Sequence, residues 1–351
     1  MRRSIRGFWP CLLLACALLA GGSALPVQSA QAQSAEGMQR LARDLWPAAK
    51  KRGVSRRTFD RAFAGLTPDM GVLADAANQA EFRQSVSEYL KKRLSEERIA
   101  NGRAMAAKHA SRVAAIEKRY GVDRHVLLAI WGLESNYGDK MGDYDAIRAL
   151  ATLALTRSRA RFGRSQLLAA LKILERGDVS REQFHASWAG AMGHTQFIPT
   201  TYEAYAVDWT GDGKRDIWNS ISDALASTGN YLSKSGWRSG LTWGWRVTLP
   251  KGFKHTGRRT VAEWEKLGVT AMPGGRAAPR DTSVTLLRPE GRNGPAYLVT
   301  RNFRAILAYN NANAYALSVG LLADRIRSGA AESQAQDEAD FAILEPAGDP
   351  Q

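Results

Sequence analysis

Cysteine is nearly absent: the 351 residues include only Cys11 and Cys16, both within the first 32. Removing that segment leaves a cysteine-free chain, which excludes disulfides and cysteine-ligated metals from the mature protein. Long apolar runs are also missing. The longest, residues 8–20, falls short of the roughly 18 apolar residues that a membrane span needs, and nothing later approaches it. Acidic residues are scarce relative to basic ones. With 34 Asp and Glu against 49 Lys and Arg the net charge is +15, so the surface favours polyanions such as nucleic acid, acidic lipid or an anionic wall polymer. The 44% hydrophobic and 24% charged content is that of a folded globular chain rather than a disordered or collagen-like one.

What is present at the start of the chain narrows the partner. Arg2, Arg3 and Arg6 precede the apolar run, and small and polar residues follow to Ala30-Gln31-Ala32, the pattern of a secretory signal cleaved after Ala32. Leu13-Leu14-Ala15-Cys16 resembles an imperfect lipoprotein box, in which Cys16 would become a lipidated amino terminus; a retained transmembrane anchor is the third reading. Residues 1–32 carry three Arg and no acid, so cleavage lowers the net charge to +12. Export sets nucleic acid aside and places the protein in the periplasm, with membrane attachment through Cys16 as the open alternative.

Apolar residues recur at helical spacing over 38–115, with Leu41 and Leu45, then Phe59, Phe63 and Leu66, and a break marked by Pro68 and Gly71. Residues 81–99 read as one long basic amphipathic helix bearing Phe82, Val86, Tyr89, Leu90 and Leu94, its Lys and Arg forming a solvated face. Helices continue over 122–176, where Gly177-Asp178 ends one. Three β-prone runs, 246–250, 283–287 and 296–300, are separated by turn-rich segments such as Pro273-Gly274-Gly275. Helical pattern returns at 303–307 and 315–326. The expected division is a signal over 1–32, a helical region over 33–241 and 301–329, a small antiparallel β subdomain inserted at 242–300, and an acidic disordered tail over 330–351 containing Pro346 and Pro350. The class is mainly α (α+β), and no internal repeat is visible.

Two segments could carry chemistry. Leu127, Ile130 and Trp131 stand seven, four and three residues before Glu134, which places its carboxyl on the apolar stripe of a helix. A carboxyl there loses hydration and its pKa rises, as a general acid requires near neutral pH. A Glu at a helix end paired with a nearby Arg, such as Arg148, is the alternative. In the second segment Ala189, Gly190, Ala191 and Gly193 allow a ligand close to the backbone, and Gln196 offers both a donor and an acceptor to sugar groups. Tight packing also selects such small residues. Trp188, Trp209, Tyr231 and Tyr309-Asn310 add polar-tipped aromatics of the kind that line carbohydrate clefts.

These residues carry a resemblance. Glu134-Ser135-Asn136-Tyr137-Gly138, Ala189-Gly190-Ala191-Met192-Gly193 with Gln196-Phe197, Asp212-Gly213 with Asp216-Ile217-Trp218, and Tyr309-Asn310 follow the order and approximate spacing of the membrane-bound lytic transglycosylase B family, glycoside hydrolase family 103, over about 38–327. The resemblance implies a lysozyme-like helical catalytic core cutting the β-1,4 bond between N-acetylmuramic acid and N-acetylglucosamine in peptidoglycan, as a monomer and with no cofactor for the chemistry. It implies Glu134 as sole acid/base. Ser187, Gln196, Tyr231, Tyr309 and Asn310 would contact substrate, and Tyr89 matches another cleft tyrosine through a looser motif. Asp139, Asp143 and Asp145 follow Glu134 without matching a catalytic position. A hydrolytic muramidase on the same core and a non-catalytic wall-binding protein are the other readings.

Residues 208–219 resemble an EF-hand loop, with Asp208, Thr210, Asp212 and Asp216 at positions 1, 3, 5 and 9, Gly213 at 6 and the Lys214 carbonyl at 7. Position 12 is Asn219 where a bidentate Glu is expected. The resemblance brings in Asp223 as its replacement. A weak structural calcium ion is expected, against a metal-free Gly-Asp turn.

Overall fold

Serine, threonine and aspartate residues stand just before most helices, and their side chains take up the amide groups that a helix start leaves unbonded. Ser55 caps α2 (Arg56–Phe63), Ser85 forms a capping box with Glu88 on α4 (Val86–Arg93), and Ser95 caps α5 (Glu96–Lys108). Asp123 and Asp145 do the same for α7 (Arg124–Ser135) and α8 (Ala146–Leu155), and Ser220 and Thr300 for α11 (Ile221–Lys234) and α13 (Arg301–Tyr309). The remaining helices are α1 (Val27–Lys51), α3 (Met70–Asn78), α6 (Ala110–Tyr120), α9 (Ala160–Arg176), α10 (Pro199–Tyr205), α12 (Val261–Lys266) and α14 (Asn313–Arg327). The structure, a computed structural model, describes residues 27–78 and 85–328. Most of the expected signal, including Cys16, and the acidic tail lie outside the described residues, as does Phe82; the expected cleavage point at Ala32 falls within α1.

The expected mainly helical class with a small antiparallel sheet is what is observed. Strands β3 (Gly244–Thr248), β6 (Ser283–Leu287) and β7 (Ala296–Val299) occupy the three β-prone runs. Short β4 (Arg258–Thr260) and β5 (Thr270–Ala271) extend them to an antiparallel sheet of order β4-β6-β7-β3-β5, and α12 covers it. Sequence reading missed these two strands and α12, which are too short to show a period. A second, two-stranded sheet pairs β1 (Tyr144–Asp145) with β2 (His185–Ala186).

Apolar side chains collect into two large cores. One joins α4 to α7 with α11, α13 and α14, and the other joins α1, α2, α8, α9 and the segment from Phe184 to Phe197. The five-stranded sheet is keyed to the first core by Trp243, Tyr297 and Val299. The Trp243 indole lies directly over Gly320, where any Cβ would clash, and donates to Asp324 at 2.8 Å. Tyr231 and Tyr309 pack against both large cores and so mark the seam between them. Among the described residues no helix is long and apolar enough to cross a membrane.

Two expectations need correction. The single helix over 81–99 is broken: Leu94 leaves helical geometry and Ser95 accepts from the Arg98 amide to start α5. Its basic residues are not simply a solvated face, because Arg93 donates to the Leu133 carbonyl at 3.3 Å and Arg98 to the Gly132 carbonyl at 3.2 Å. Both carbonyls belong to the last turn of α7, where helical donors run out, and the Gly132 carbonyl accepts from the Asn136 amide as well, at 3.1 Å. The earlier break also differs, since Gly71 lies in the first turn of α3 rather than between helices.

Candidate active site

α7 is buried on every side, from Val126 to Leu133, as a helix apolar around its whole circumference must be. It ends at Asn136, which takes a left-handed conformation, as does Tyr137 after it. Glycine makes room for this turn: a Cβ on Gly132 would lie 2.5 Å from the Tyr137 ring, and one on Gly102 of α5 would strike the same phenol. Tyr137 is thereby wedged between the two helices and donates to the Arg98 carbonyl at 3.1 Å.

Glu134 sits in this last turn. Leu127, Ile130 and Trp131 are buried beneath it, so its carboxyl lies where water is scarce. Burial pushes its pKa up to about 7, opposed by a hydrogen bond from Tyr315 and the positive charge of Arg93. Tyr315 Oη donates to Glu134 Oε1 at 2.5 Å. The alternative partner Arg148 is committed elsewhere, to the Thr67 and Pro68 carbonyls and, at 3.4 Å, to Asp69. Asp145 caps α8 and pairs with Arg181 at 2.7 Å.

The segment 187–197 is fastened to the same helix end. Ser135 Oγ donates to the His194 carbonyl at 2.6 Å, and Trp131 Nε1 donates to His194 Nδ1 at 3.1 Å. Burial lowers the His194 pKa, so the ring is neutral, and acceptance at Nδ1 leaves its proton on Nε2. Gly193 has φ +64°, and a Cβ there would run into the Ile217 carbonyl. Gln196 also has positive φ, at 52°; its amide nitrogen donates to the carbonyls of Met141 at 3.0 Å and Gly193 at 2.9 Å, leaving Oε1 as an acceptor. Ser187 closes a turn by accepting from the Ala191 amide at 3.1 Å, while its hydroxyl proton can still donate.

Across the seam lies a row of tyrosines. Tyr231 and Tyr309 meet edge to face at 5.0 Å, and Tyr309 stacks parallel to Tyr315 at 6.4 Å. Tyr309 donates to the Thr195 carbonyl and Tyr231 to the Ala308 carbonyl, which ties α13 to segment 187–197 and α11 to α13. Burial and the nearby Glu134 raise the Tyr309 and Tyr315 phenols well above their usual range, so both remain protonated donors. Asn310 caps α13 in an exposed position. Tyr89 carries the Arg93 guanidinium over its ring at 5.2 Å and is close enough to act electrostatically on Tyr315.

The structure therefore gathers Tyr89, Tyr231 and Tyr309 with Glu134, and fixes Ser187 and Gln196 on a segment bonded to the next residue. Sequence reading missed Tyr315, Arg93 and His194. Tyr315 enters the sequence reading only as the start of the helical pattern over 315–326; its place six residues after Tyr309, across the short α13–α14 turn, is the available signal.

The oxygen-rich loop is gathered differently from the EF-hand expectation. Asp208, Asp212 and Asp223 bring carboxylate oxygens within 4.8 Å of one another. Asp216 instead folds back to accept from the Trp218 and Asn219 amides at 3.0 and 2.8 Å, and the Thr210 hydroxyl donates to Asp208 at 3.3 Å. Lys214 gives its amide to Asp212 at 2.9 Å. Asp223 is buried and accepts from the Trp209, Thr210 and Asp216 amides, drawing both ends of the loop onto α11. Three carboxylates in an all-oxygen set suit a hard divalent cation.

Residues 37–324 match the family described as Transglycosylase SLT domain. The chain is 29% identical over 245 residues to membrane-bound lytic murein transglycosylase B of Escherichia coli K12, covering 68% of this chain and 66%, a little under two thirds, of that protein. SltB3 of Pseudomonas aeruginosa in complex with NAG-NAM-pentapeptide superposes with a TM-score of 0.79 at 49% identity, over 83% of this chain and 80% of that one. SltB1 of the same organism gives 0.69 at 28% identity over 87% and 99%.

Proposed function

The chain belongs to the Transglycosylase SLT domain family, and from that premise we propose that it is an exported lytic transglycosylase that cleaves the MurNAc-β-1,4-GlcNAc bond of peptidoglycan without water. One observation carries the reading: Glu134 is half-buried on an apolar floor, with a pKa of about 7 and a phenol bonded to it. Tyr315, Arg93 and Tyr309 are the polar groups that act on it, and Asp145, the capping residue of α8, is tied to Arg181. That is the environment of one carboxyl cycling between acid and base rather than of two carboxyls with divided roles.

Protonated Glu134 donates to the glycosidic oxygen, and the C1–O bond breaks. The positive charge that develops at the muramoyl C1 is relieved by the substrate's 2-acetamido group and surrounding dipoles. Glu134, now a carboxylate held by Tyr315, takes the proton of the muramoyl 6-hydroxyl, whose oxygen closes onto C1. The products are a GlcNAc terminus and a 1,6-anhydro end, with no water consumed. Ser187, Gln196, Tyr231, Tyr309, Asn310 and Tyr89 orient the sugars. SltB3 has been crystallised with both NAG-NAM-pentapeptide and NAG-anhNAM-pentapeptide, a pair that fits substrate and product of this reaction.

Digestion of purified peptidoglycan in heavy-oxygen water separates the readings. Anhydromuropeptides, one water lighter and free of label, are expected; labelled reducing ends would identify a hydrolase.

Asp208, Asp212 and Asp223 would hold a structural calcium ion that stiffens the loop and takes no part in bond cleavage. The Arg-rich start and apolar run support export to the periplasm, and Cys16 is the candidate for lipid attachment.

A further inference from the structure

On the sheet, between the end of β3 and the loop joining β6 to β7, Arg246, Lys251, Lys254, Arg288 and Arg292 line a cavity of about 450 Å³ that has no acidic side chain in its lining among the described residues. Leaving Arg246 aside, Lys251, Lys254, Arg288 and Arg292 around one hollow repel each other, and that arrangement is relieved by a multiply charged anion. The nearest acid of the loop, Glu290, is turned to α4, where it accepts from the Ser87 amide at 2.7 Å and from its hydroxyl.

Arg288 is fixed in the wall. It donates through Nη2 to the Phe253 carbonyl at 3.1 Å, and its guanidinium stands 5.6 Å from the centroid of that residue's ring. Its Nε is buried yet has no hydrogen-bond partner. A buried N–H without an acceptor is costly, which marks this wall as polar and strained for partners, and the planar guanidinium lining the cavity is shaped for an oxyanion. A carboxylate brings one negative charge, whereas a phosphate monoester brings nearly two and three strong acceptors. The volume is that of a small-ligand site.

We propose that this cavity is a binding site for a phosphate-bearing ligand, with Arg288 as its central contact. The site is separate from the tyrosine-lined cleft, and the proposal does not rest on the cleavage chemistry, because its readout is binding. Two sources supply such a group: a soluble phosphate ester and the headgroup of an anionic phospholipid.

The test titrates the full-length protein calorimetrically with inorganic pyrophosphate. Saturable binding at one site is expected. Arg288→Lys keeps the charge but removes Nε and the planar fork, and should weaken binding roughly tenfold or more. Arg292→Gln, at an exposed position, should weaken it too, with the melting temperature confirming that both variants fold. Arg57→Gln, outside the cavity, should leave it unchanged. Sedimentation with phosphatidylglycerol vesicles, against phosphatidylcholine vesicles, assigns the source: loss in Arg288→Lys marks a lipid headgroup, and undisturbed sedimentation beside lost pyrophosphate binding marks a soluble ester. Failure of pyrophosphate to saturate, or wild-type affinity in both Arg288→Lys and Arg292→Gln, would overturn the proposal.

Discussion

In the proposed reaction Glu134 holds a proton and later takes one back, and its surroundings set the pH at which it can do both. Its pKa stands at about 7 against an ordinary 4.5, so the acid form persists to neutrality. Below that value kcat/KM should be flat with respect to this group; above it, kcat/KM should fall about tenfold per pH unit. Tyr315 holds the carboxylate form through its hydrogen bond, so Tyr315→Phe should move the alkaline limb upward while lowering the maximal rate, and a limb that stays in place would show that the phenol does not act on Glu134. Stability carries the opposite sign from the usual carboxylate. Between the unfolded pKa and about 7 the folded protein binds more protons than the unfolded chain, so stability falls as pH rises through that window. Glu134→Gln should therefore raise the melting temperature above neutrality and leave it nearly unchanged in acid; scanning calorimetry at both pH values checks this. The apolar seat was legible from the spacing of Leu127, Ile130 and Trp131. Tyr315 was not, because a buried tyrosine on a helix stripe has the same pattern whether its hydroxyl is idle or bonded to a carboxyl.

At the scale of elements, the end of α7 is held by three separate devices: Arg93 and Arg98 on its carbonyls, Tyr137 in its glycine slot, and Ser135 on the His194 carbonyl. Gly193→Ala would force a side chain into positive φ against the Ile217 carbonyl, at a cost on the order of 2 kcal/mol or more. Its melting temperature and activity should fall together, and wild-type values in both would refute the close approach. The oxygen-rich loop makes a second prediction. Calcium bound only by the native state should raise the melting temperature of metal-stripped protein by an amount that grows with concentration, about 2.7 kcal/mol at a hundred times Kd. Asp212→Asn, at an exposed position, should abolish that rise with little change to the metal-free protein, whereas Asp223→Asn should destabilise both forms because its carboxylate anchors three amides. No calcium effect on the wild type would leave a metal-free turn. The sequence pattern located this loop and named the three carboxylates that gather there; Asp216 has the right spacing too, yet a local turn takes its oxygens. The break between α4 and α5 escaped notice for a related reason, since Leu94 continues the apolar period through a residue that is not helical.

For the whole molecule, the cleft tyrosines lie where two cores meet, and no sequence pattern could show that, because Tyr231 and Tyr309 belong to both. Composition did carry the class and the charge. With a net charge of +15, or +12 without residues 1–32, the chain should bind its proposed anionic wall substrate less tightly as salt screens the attraction, so retention on purified sacculi should fall with ionic strength while the folded state persists. At the centre of the proposed reaction is a single carboxyl serving as acid and then as base. The most direct test is the rate and product of the folded Glu134→Gln variant on purified peptidoglycan. Gln preserves shape and can accept the Tyr315 hydrogen bond but cannot cycle a proton, so release of anhydromuropeptides should drop by roughly a thousandfold or more. Release of the same products at near the wild-type rate would contradict the assignment.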